Sequence, residues 1–172
     1  PLNADGSFSE AEVFGKRVSG KALMDRTDEI IRQAYYGVGQ TKQNALDYLL
    51  YLWEGEFSPL YNKDKMTTFE RYFIADKAPQ KEKKGAYFTL SDDEKVCEAI
   101  LKEFGLDPTT GRIINGHVPV RTIKGETPIR ANGKRFVIDG GFSKPYQEKT
   151  GIAGYTLIYN SHGIQLVEHE SF

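Results

Sequence analysis

The chain has 172 residues with 23 Lys and Arg against 24 Asp and Glu, so its formal charge of −1 gives no overall field that favours nucleic acid or an anionic membrane. A hydrophobic content of 39% is typical of a globular protein, and no apolar run is long enough to span a bilayer. The single cysteine excludes an internal disulfide, and the polar start PLNADGSFSE is no signal peptide, so we expect a cytoplasmic protein.

The first residue is Pro1 rather than Met, and it lies in a polar, turn-forming stretch. Two explanations fit this start. The sequence is either a portion of a longer protein, or it begins in an ordinary disordered terminus. The residues alone leave both open.

Two long helices are predicted in the first half. The first starts near Lys21 and ends at the glycines Gly37 and Gly39. Its apolar positions recur at helical spacing: Leu23, Ile30, Ile31, Ala34 and Tyr35. The second runs from an N-cap at Thr41 to Trp53 and is apolar almost all round from Ala45 onward. This second helix is therefore either buried on both sides or in contact with a partner.

A short helix is predicted over residues 66–75, capped by Thr67 or Thr68, with three aromatic side chains pointing inward. These are Phe69, Tyr72 and Phe73. The lysine-rich connector that follows, residues 77–85, is either a solvated loop or a phosphate-steering segment.

The next predicted helix has the clearest boundaries. Ser91 and Glu94 have the spacing of a capping box, and Gly105 is the expected C-cap. Cys97 lies on its apolar stripe, which favours a core side chain over a nucleophile.

After Asp107 the pattern changes to strands. Residues 111–116 and 135–139 are predicted strands, with a tight turn at 131–134 before the second, and residues 155–159 and 164–169 form a hairpin. We therefore predict an α/β fold with a mainly helical segment, residues 1–107, and a strand-rich segment, residues 108–172.

Two of these strands end in a polar residue beside glycine, as Gly116-His117 and Asp139-Gly140-Gly141. Ligands of open α/β sheets bind at the carboxyl ends of the strands. A neutral imidazole at such a place suits a metal or general acid–base chemistry. From the residues alone, His117 is either such a ligand or, the favoured interpretation, a capping or core histidine, while His162 and His169 are interpreted as surface residues.

The sequence by itself contains no complete catalytic centre. It lacks the ligand spacing of a metal site, the Gly-x-Ser-x-Gly elbow of a serine hydrolase and a Walker phosphate loop. Several basic residues near the strand ends or upstream are either phosphate ligands or solvent-exposed charges. They are Arg121, Lys124, Arg130, Lys134, Lys144, Lys65 and Arg71.

The stretch from NGHVPVRTIKGETPIRANGKRFVIDGG to the chain end resembles the carboxyl end of the class III fructose-1,6-bisphosphatases of Firmicutes and related bacteria. SPLYNKDKMTTFERYFIADK and EVFGKRVSGKAL are similar to earlier segments of the same proteins. The resemblance covers the whole chain. It implies that residues 1–172 are the carboxyl-terminal portion of one calcineurin-like metallophosphatase domain and of its α/β sandwich, with the amino-terminal portion missing.

That family combines an Asp-x-His, a Gly-Asp-x-x-Asp, a Gly-Asn-His-Glu, a further histidine and a final Gly-His. Gly116-His117 resembles the final element, which implies that His117 is a metal ligand. The earlier elements are absent from this chain. Asp139 would either orient His117 as a hydrogen-bond acceptor or cap the Gly-Gly turn.

The resemblance implies a hydrolase that converts fructose 1,6-bisphosphate to fructose 6-phosphate in gluconeogenesis, using metal-activated water. Manganese is the expected ion, with magnesium as the second choice. The candidates for holding substrate phosphate are Arg121, Lys144, Lys65 and Arg71, chosen by charge and position. We expect the chain to be inactive alone, because most of the metal ligands are missing.

Two rival functions stay open at this point. The same fold could hydrolyse another phosphate ester, or the chain could be a non-catalytic interaction domain that docks through the Ala45–Trp53 helix. Homo-oligomerisation is a further open expectation.

Overall fold

The computed structural model describes residues 1–170, which fall into two compact units, Pro1–Leu90 and the residues from Ser91 onward. Helices dominate the first part and strands the second, which confirms the predicted α/β class and its helix-then-strand order. Within the described residues, no helix combines the length and the apolar character that crossing a bilayer requires.

The first unit contains one short hairpin and four helices. Its elements are β1 (Ala11–Val13), β2 (Lys16–Val18), α1 (Gly20–Tyr36), α2 (Gly39–Glu54), α3 (Thr68–Phe73) and α4 (Tyr87–Leu90). The β1–β2 hairpin was not predicted. Its turn residues Phe14 and Gly15 both have a positive φ. Asn-Gly is the usual sequence signal for such a turn, so Phe-Gly did not indicate it.

The core of the first unit lies between the hairpin and the first two helices. It contains Val13, Leu23, Ile30, Ala34 and Ala45. The α1 members repeat at helical spacing, as predicted. Ile31 and Tyr35, which the same pattern included, are exposed because they lie beside that stripe rather than on it.

Helix α2 begins at Gly39, two residues before the predicted cap at Thr41. The first residue has φ +61°, which glycine adopts without strain. Ala45 and Leu52 are buried, whereas Leu46, Leu50 and Trp53 are exposed. Only one face of this helix is therefore packed within the described residues.

Helix α3 forms where predicted, but its orientation differs from the prediction. Phe69, Tyr72 and Phe73 are exposed, so the expectation that they point inward was wrong. The helix is held instead by Thr67, the buried residue before it, whose amide donates to Glu82 Oε1 at 3.0 Å. A polar anchor at the helix start thus fixes the helix without burying its aromatic face.

Glu82 links the connector at residues 77–85 to the segment that precedes α3. Its carboxylate accepts hydrogen bonds from Lys63 Nζ at 2.7 Å and from the Thr67 hydroxyl at 3.0 Å. Desolvation alone would raise the pKa of Glu82, but the hydrogen bonds from Lys63 and Thr67 lower that pKa to about 2 from an ordinary 4.5. The connector at residues 77–85 is therefore anchored to Lys63 and Thr67 through Glu82, so it is not a wholly solvated loop.

Replacing Glu82 by glutamine is expected to lower the free energy of unfolding of the chain by about 2 kcal/mol near neutral pH, because a charge-assisted network is lost. Since the folded-state pKa lies below the ordinary 4.5, the stabilisation is fully present above that value and is lost as the pH falls toward about 2.

Urea unfolding of both proteins, at neutral pH and near pH 3, measures this effect. The difference between the native protein and Glu82→Gln should shrink at the lower pH, and Glu12→Gln, at an exposed position in β1, should change little. A pH-independent difference would contradict the role of the carboxylate.

The second unit contains a three-stranded sheet, a separate hairpin, two α-helices and two single 3₁₀ turns, Thr122–Lys124 and Ala131–Gly133. Its elements are α5 (Glu94–Glu103), β3 (Ile113–Asn115), β4 (Ile129–Arg130), β5 (Arg135–Val137), α6 (Lys144–Thr150), β6 (Gly154–Asn160) and β7 (Gly163–His169). The sheet order is β3-β5-β4, with β3 parallel and β4 antiparallel to β5. The predicted hairpin is confirmed as β6–β7. β4 and α6 were not predicted.

Helix α5 is capped differently from the prediction. Asp93 Oδ1 accepts the amides of Lys95 and Val96 at 2.8 and 3.2 Å, so Asp93 is the N-cap and the Ser91 capping box was wrong. The predicted end is confirmed, because Gly105 has φ +72°. Cys97 is fully buried, and this burial raises the pKa of its thiol, which fits a core side chain.

The core of the second unit lies between the sheet and the hairpin. Its buried members are Val120, Val137, Ile152 and Tyr155. A backbone bridge between Asp139 and Gly154 connects the end of β5 to the start of β6. The carboxyl edge of the sheet is therefore fixed by the last hairpin.

Candidate functional site

The structure brings the two predicted strand ends to one edge of the sheet. β3 and β5 are parallel neighbours, with Asn115 paired to Val137 as the last partners in register. The ladder continues for one more bond, since Ile138 N donates to Asn115 O at 2.9 Å. His117 and Asp139 therefore leave the sheet on the same side, where α/β folds bind ligands.

His117 lies at the centre of a γ-turn. Val118 N donates to Gly116 O at 2.8 Å, and His117 itself has φ +67°, a conformation that a non-glycine residue adopts at a cost. Its side chain is exposed and its ring makes no hydrogen bond to another residue of the described chain. A core histidine is thus excluded, and the imidazole is open to a ligand; backbone strain of this kind concentrates at functional sites.

Asp139 caps the turn that follows it. Its Oδ1 accepts the amide of Gly141 at 2.9 Å, and its carbonyl accepts the amide of Val120 at 2.7 Å. The capping role, one of the two that the sequence left open, is thus present. The other role, orientation of His117, stays a prediction.

Arg121 lies near the same edge, because the amide of the preceding residue, Val120, donates a hydrogen bond to the Asp139 carbonyl. Its Nε and one terminal nitrogen donate to Glu126 Oε1 at 2.9 and 2.5 Å. Hydrogen bonds from the amide and guanidinium of Arg121 lower the pKa of Glu126. A substrate phosphate would therefore have to share Arg121 with this carboxylate.

The other three phosphate candidates are placed differently. Lys144 is the exposed first residue of α6, where a positive charge opposes the helix dipole. Lys65 and Arg71 belong to the first unit, and Arg71 Nε donates to the Thr67 hydroxyl at 3.0 Å. The sheet edge thus brings together His117, Asp139 and Arg121, and phosphate binding by all four basic residues stays a prediction.

Sequence reasoning missed the contact that supports this edge. A Cβ added at Gly140 would lie 2.6 Å from the Cα of Gly154 and 2.8 Å from its nitrogen. The pair of glycines after Asp139 was visible as a turn signal, but its partner Gly154 lies far along the chain and could not be assigned from local pattern.

Replacing Gly140 by alanine is expected to destabilise the chain by about 1–3 kcal/mol, because the added methyl meets backbone that cannot rotate away. The matched control is Gly116→Ala, at the end of the neighbouring strand, where an added Cβ meets no atom within 4 Å. Thermal or urea unfolding of the two variants measures the difference. Equal destabilisation would show that the close approach to Gly154 does not matter.

Within residues 1–170, no group of three or more His, Cys, Asp and Glu side chains is arranged to hold a metal ion. His117 can be one member of a metal-ligand set, and the described part of the chain does not supply the rest.

A histidine and an aspartate at the carboxyl edge of two parallel strands are typical of α/β enzymes that bind ligands at strand ends. The family model for Firmicute fructose-1,6-bisphosphatase matches residues 1–172. The chain belongs to this family.

Similar proteins carry the name fructose-1,6-bisphosphatase class 3. The protein of Bacteroides thetaiotaomicron is 58% identical over 174 residues, and that of Clostridium acetobutylicum is 56% identical over 174 residues. Each alignment covers 100% of this chain but only 26% of the relative, so the chain spans about a quarter of the relatives' length. No solved structure matches the chain.

Proposed function

We propose that the full-length protein to which this chain belongs hydrolyses fructose 1,6-bisphosphate to fructose 6-phosphate and phosphate, as a step of gluconeogenesis in the cytoplasm. The relatives' name supplies the reaction. The observation that carries the proposal in the structure is the strained, exposed His117 beside Asp139 at one sheet edge. In this proposal the sheet of the second unit is part of a calcineurin-like sandwich.

The donor chemistry of the edge fits one position of a divalent-metal site. His117 would hold the ion through its exposed ring, and Asp139 would keep the backbone of the edge in place through its bonds to Gly141 and Val120. A bound Mn²⁺, or Mg²⁺ as second choice, would neutralise phosphate charge and lower the pKa of the attacking water. The remaining ligands would come from residues of the full-length protein outside this chain.

The basic residues would bind the substrate's phosphates. Arg121 can donate through its guanidinium while Glu126 fixes its orientation, and Lys144 offers an exposed ammonium group. Lys65 and Arg71 of the first unit stay candidates for phosphate binding by their charge alone.

Phosphate release from fructose 1,6-bisphosphate tests the proposal, with the full-length protein and with residues 1–172 alone, each with Mn²⁺. We expect turnover by the full-length protein and almost none by residues 1–172, since residues 1–170 alone supply too few metal ligands. A panel that includes a phosphoprotein and a dinucleoside polyphosphate checks the substrate class. Preference for either of those would overturn the proposal.

A further inference from the structure

Helix α2 carries a second apolar stripe in addition to its buried one. Leu46, Leu50 and Trp53 are separated by four and three residues, so they lie along one side of the helix. They are 41%, 51% and 65% exposed, while Ala45 and Leu52 of the same helix are buried. Three large apolar side chains in line are more than the scattered exposure usual for a surface helix.

The stripe continues onto α3. Trp53, Met66 and Phe69 line one small cavity of about 100 Å³, and Phe69 stacks on Phe73 with ring centroids 6.4 Å apart. We call the six residues Leu46, Leu50, Trp53, Met66, Phe69 and Phe73 the apolar face. Its cavity is smaller than the roughly 300–1,000 Å³ of a small-molecule site, so it suits a protein side chain rather than a free ligand.

The charges around the apolar face bear on what covers it. Charges of both signs border this face. Glu54 lines the small cavity, and Lys63 Nζ lies 3.9 Å from Met66 Sδ. Neither sign of charge dominates the border, so a mainly apolar segment is the better complement.

We propose that the apolar face is covered by a segment of the full-length polypeptide that lies outside residues 1–172, whose apolar side chains fill the small cavity beside Trp53 and Phe69. The length of the relatives supports this choice, because this chain accounts for only 26% of the relative from Bacteroides thetaiotaomicron. Contiguous exposed apolar patches often mark contact surfaces. The proposal concerns packing and is independent of the catalytic role of His117.

Thiol labelling tests the proposal in the full-length protein and in residues 1–172. Leu50→Cys places a thiol on the exposed apolar face, and Asn44→Cys places one on another exposed side of the same helix. The native Cys97 is fully buried, so it reacts slowly in the folded chain. Mass spectrometry of the α2 peptide reports the labelling rate at each introduced site.

We expect Leu50→Cys to react at least about tenfold more slowly in the full-length protein than in residues 1–172, because the covered thiol reacts only after local opening. Asn44→Cys should react at similar rates in both. Equal rates at Leu50→Cys would overturn the proposal. Protection that appears in residues 1–172 alone and grows with concentration would also overturn it, since a second copy would then be the occupant.

Discussion

Replacing His117 by alanine in the full-length protein is expected to reduce kcat for fructose 1,6-bisphosphate by at least about a hundredfold, because one ligand of the proposed metal site is lost. The exposed imidazole, held in a γ-turn with φ +67°, has no other role visible in the described structure. Steady-state phosphate release at several Mn²⁺ concentrations measures the loss.

Two further variants separate metal binding from a structural role. His162→Ala, at an exposed position in the β6–β7 turn, should keep full activity. His117→Gly should lose activity as His117→Ala does, yet leave the stability of the chain unchanged within about 1 kcal/mol or raised, since glycine accepts a positive φ freely. Full activity of His117→Ala, or strong destabilisation by His117→Gly, would contradict the assignment.

Replacing Ile152 by alanine is expected to lower the free energy of unfolding by about 2–5 kcal/mol, the largest stability change we predict. Ile152 is fully buried between the sheet and the hairpin, in one cluster with Val120, Val137 and Tyr155. Shortening it leaves a cavity, because the backbone bridge between Asp139 and Gly154 restrains the sheet and the hairpin from moving together to close it. Urea unfolding followed by circular dichroism measures the change.

The matched control is Ile123→Ala, because Ile123 belongs to the same unit and is 65% exposed. We expect this variant to lose less than about 1 kcal/mol. A similar loss for both would mean that burial at Ile152 does not dominate the stability of the second unit.

The sequence predicted those features that depend on near neighbours. The helical stripe from Leu23 to Ala34, the glycine end of α5 and the β6–β7 hairpin all follow from spacing within a few residues. The two strand ends at His117 and Asp139 were also predicted. Their meeting at one edge follows from the parallel pairing of β3 and β5.

Features that depend on distant contacts could not be predicted. The outward orientation of Phe69 and Phe73 results from the link between Thr67 and Glu82, fifteen residues apart. The pairing of Arg121 with Glu126, which limits Arg121 as a phosphate ligand, requires the turn between them. The role of Gly140 depends on its approach to Gly154, and a local pattern carries no information about such a partner.

The bridge between Asp139 and Gly154 also sets an order for folding during synthesis. In the first unit, β1 pairs with β2 and α1 packs on α2, so each contact joins consecutive elements that can form as soon as they leave the ribosome. The edge that carries His117 can form only after Gly154 is available to pair with Asp139. Strand β6, which starts at Gly154, in turn pairs with β7. We therefore expect the edge that carries His117 to be the last part of this chain to assemble, after Gly154 and the β6–β7 hairpin have been translated.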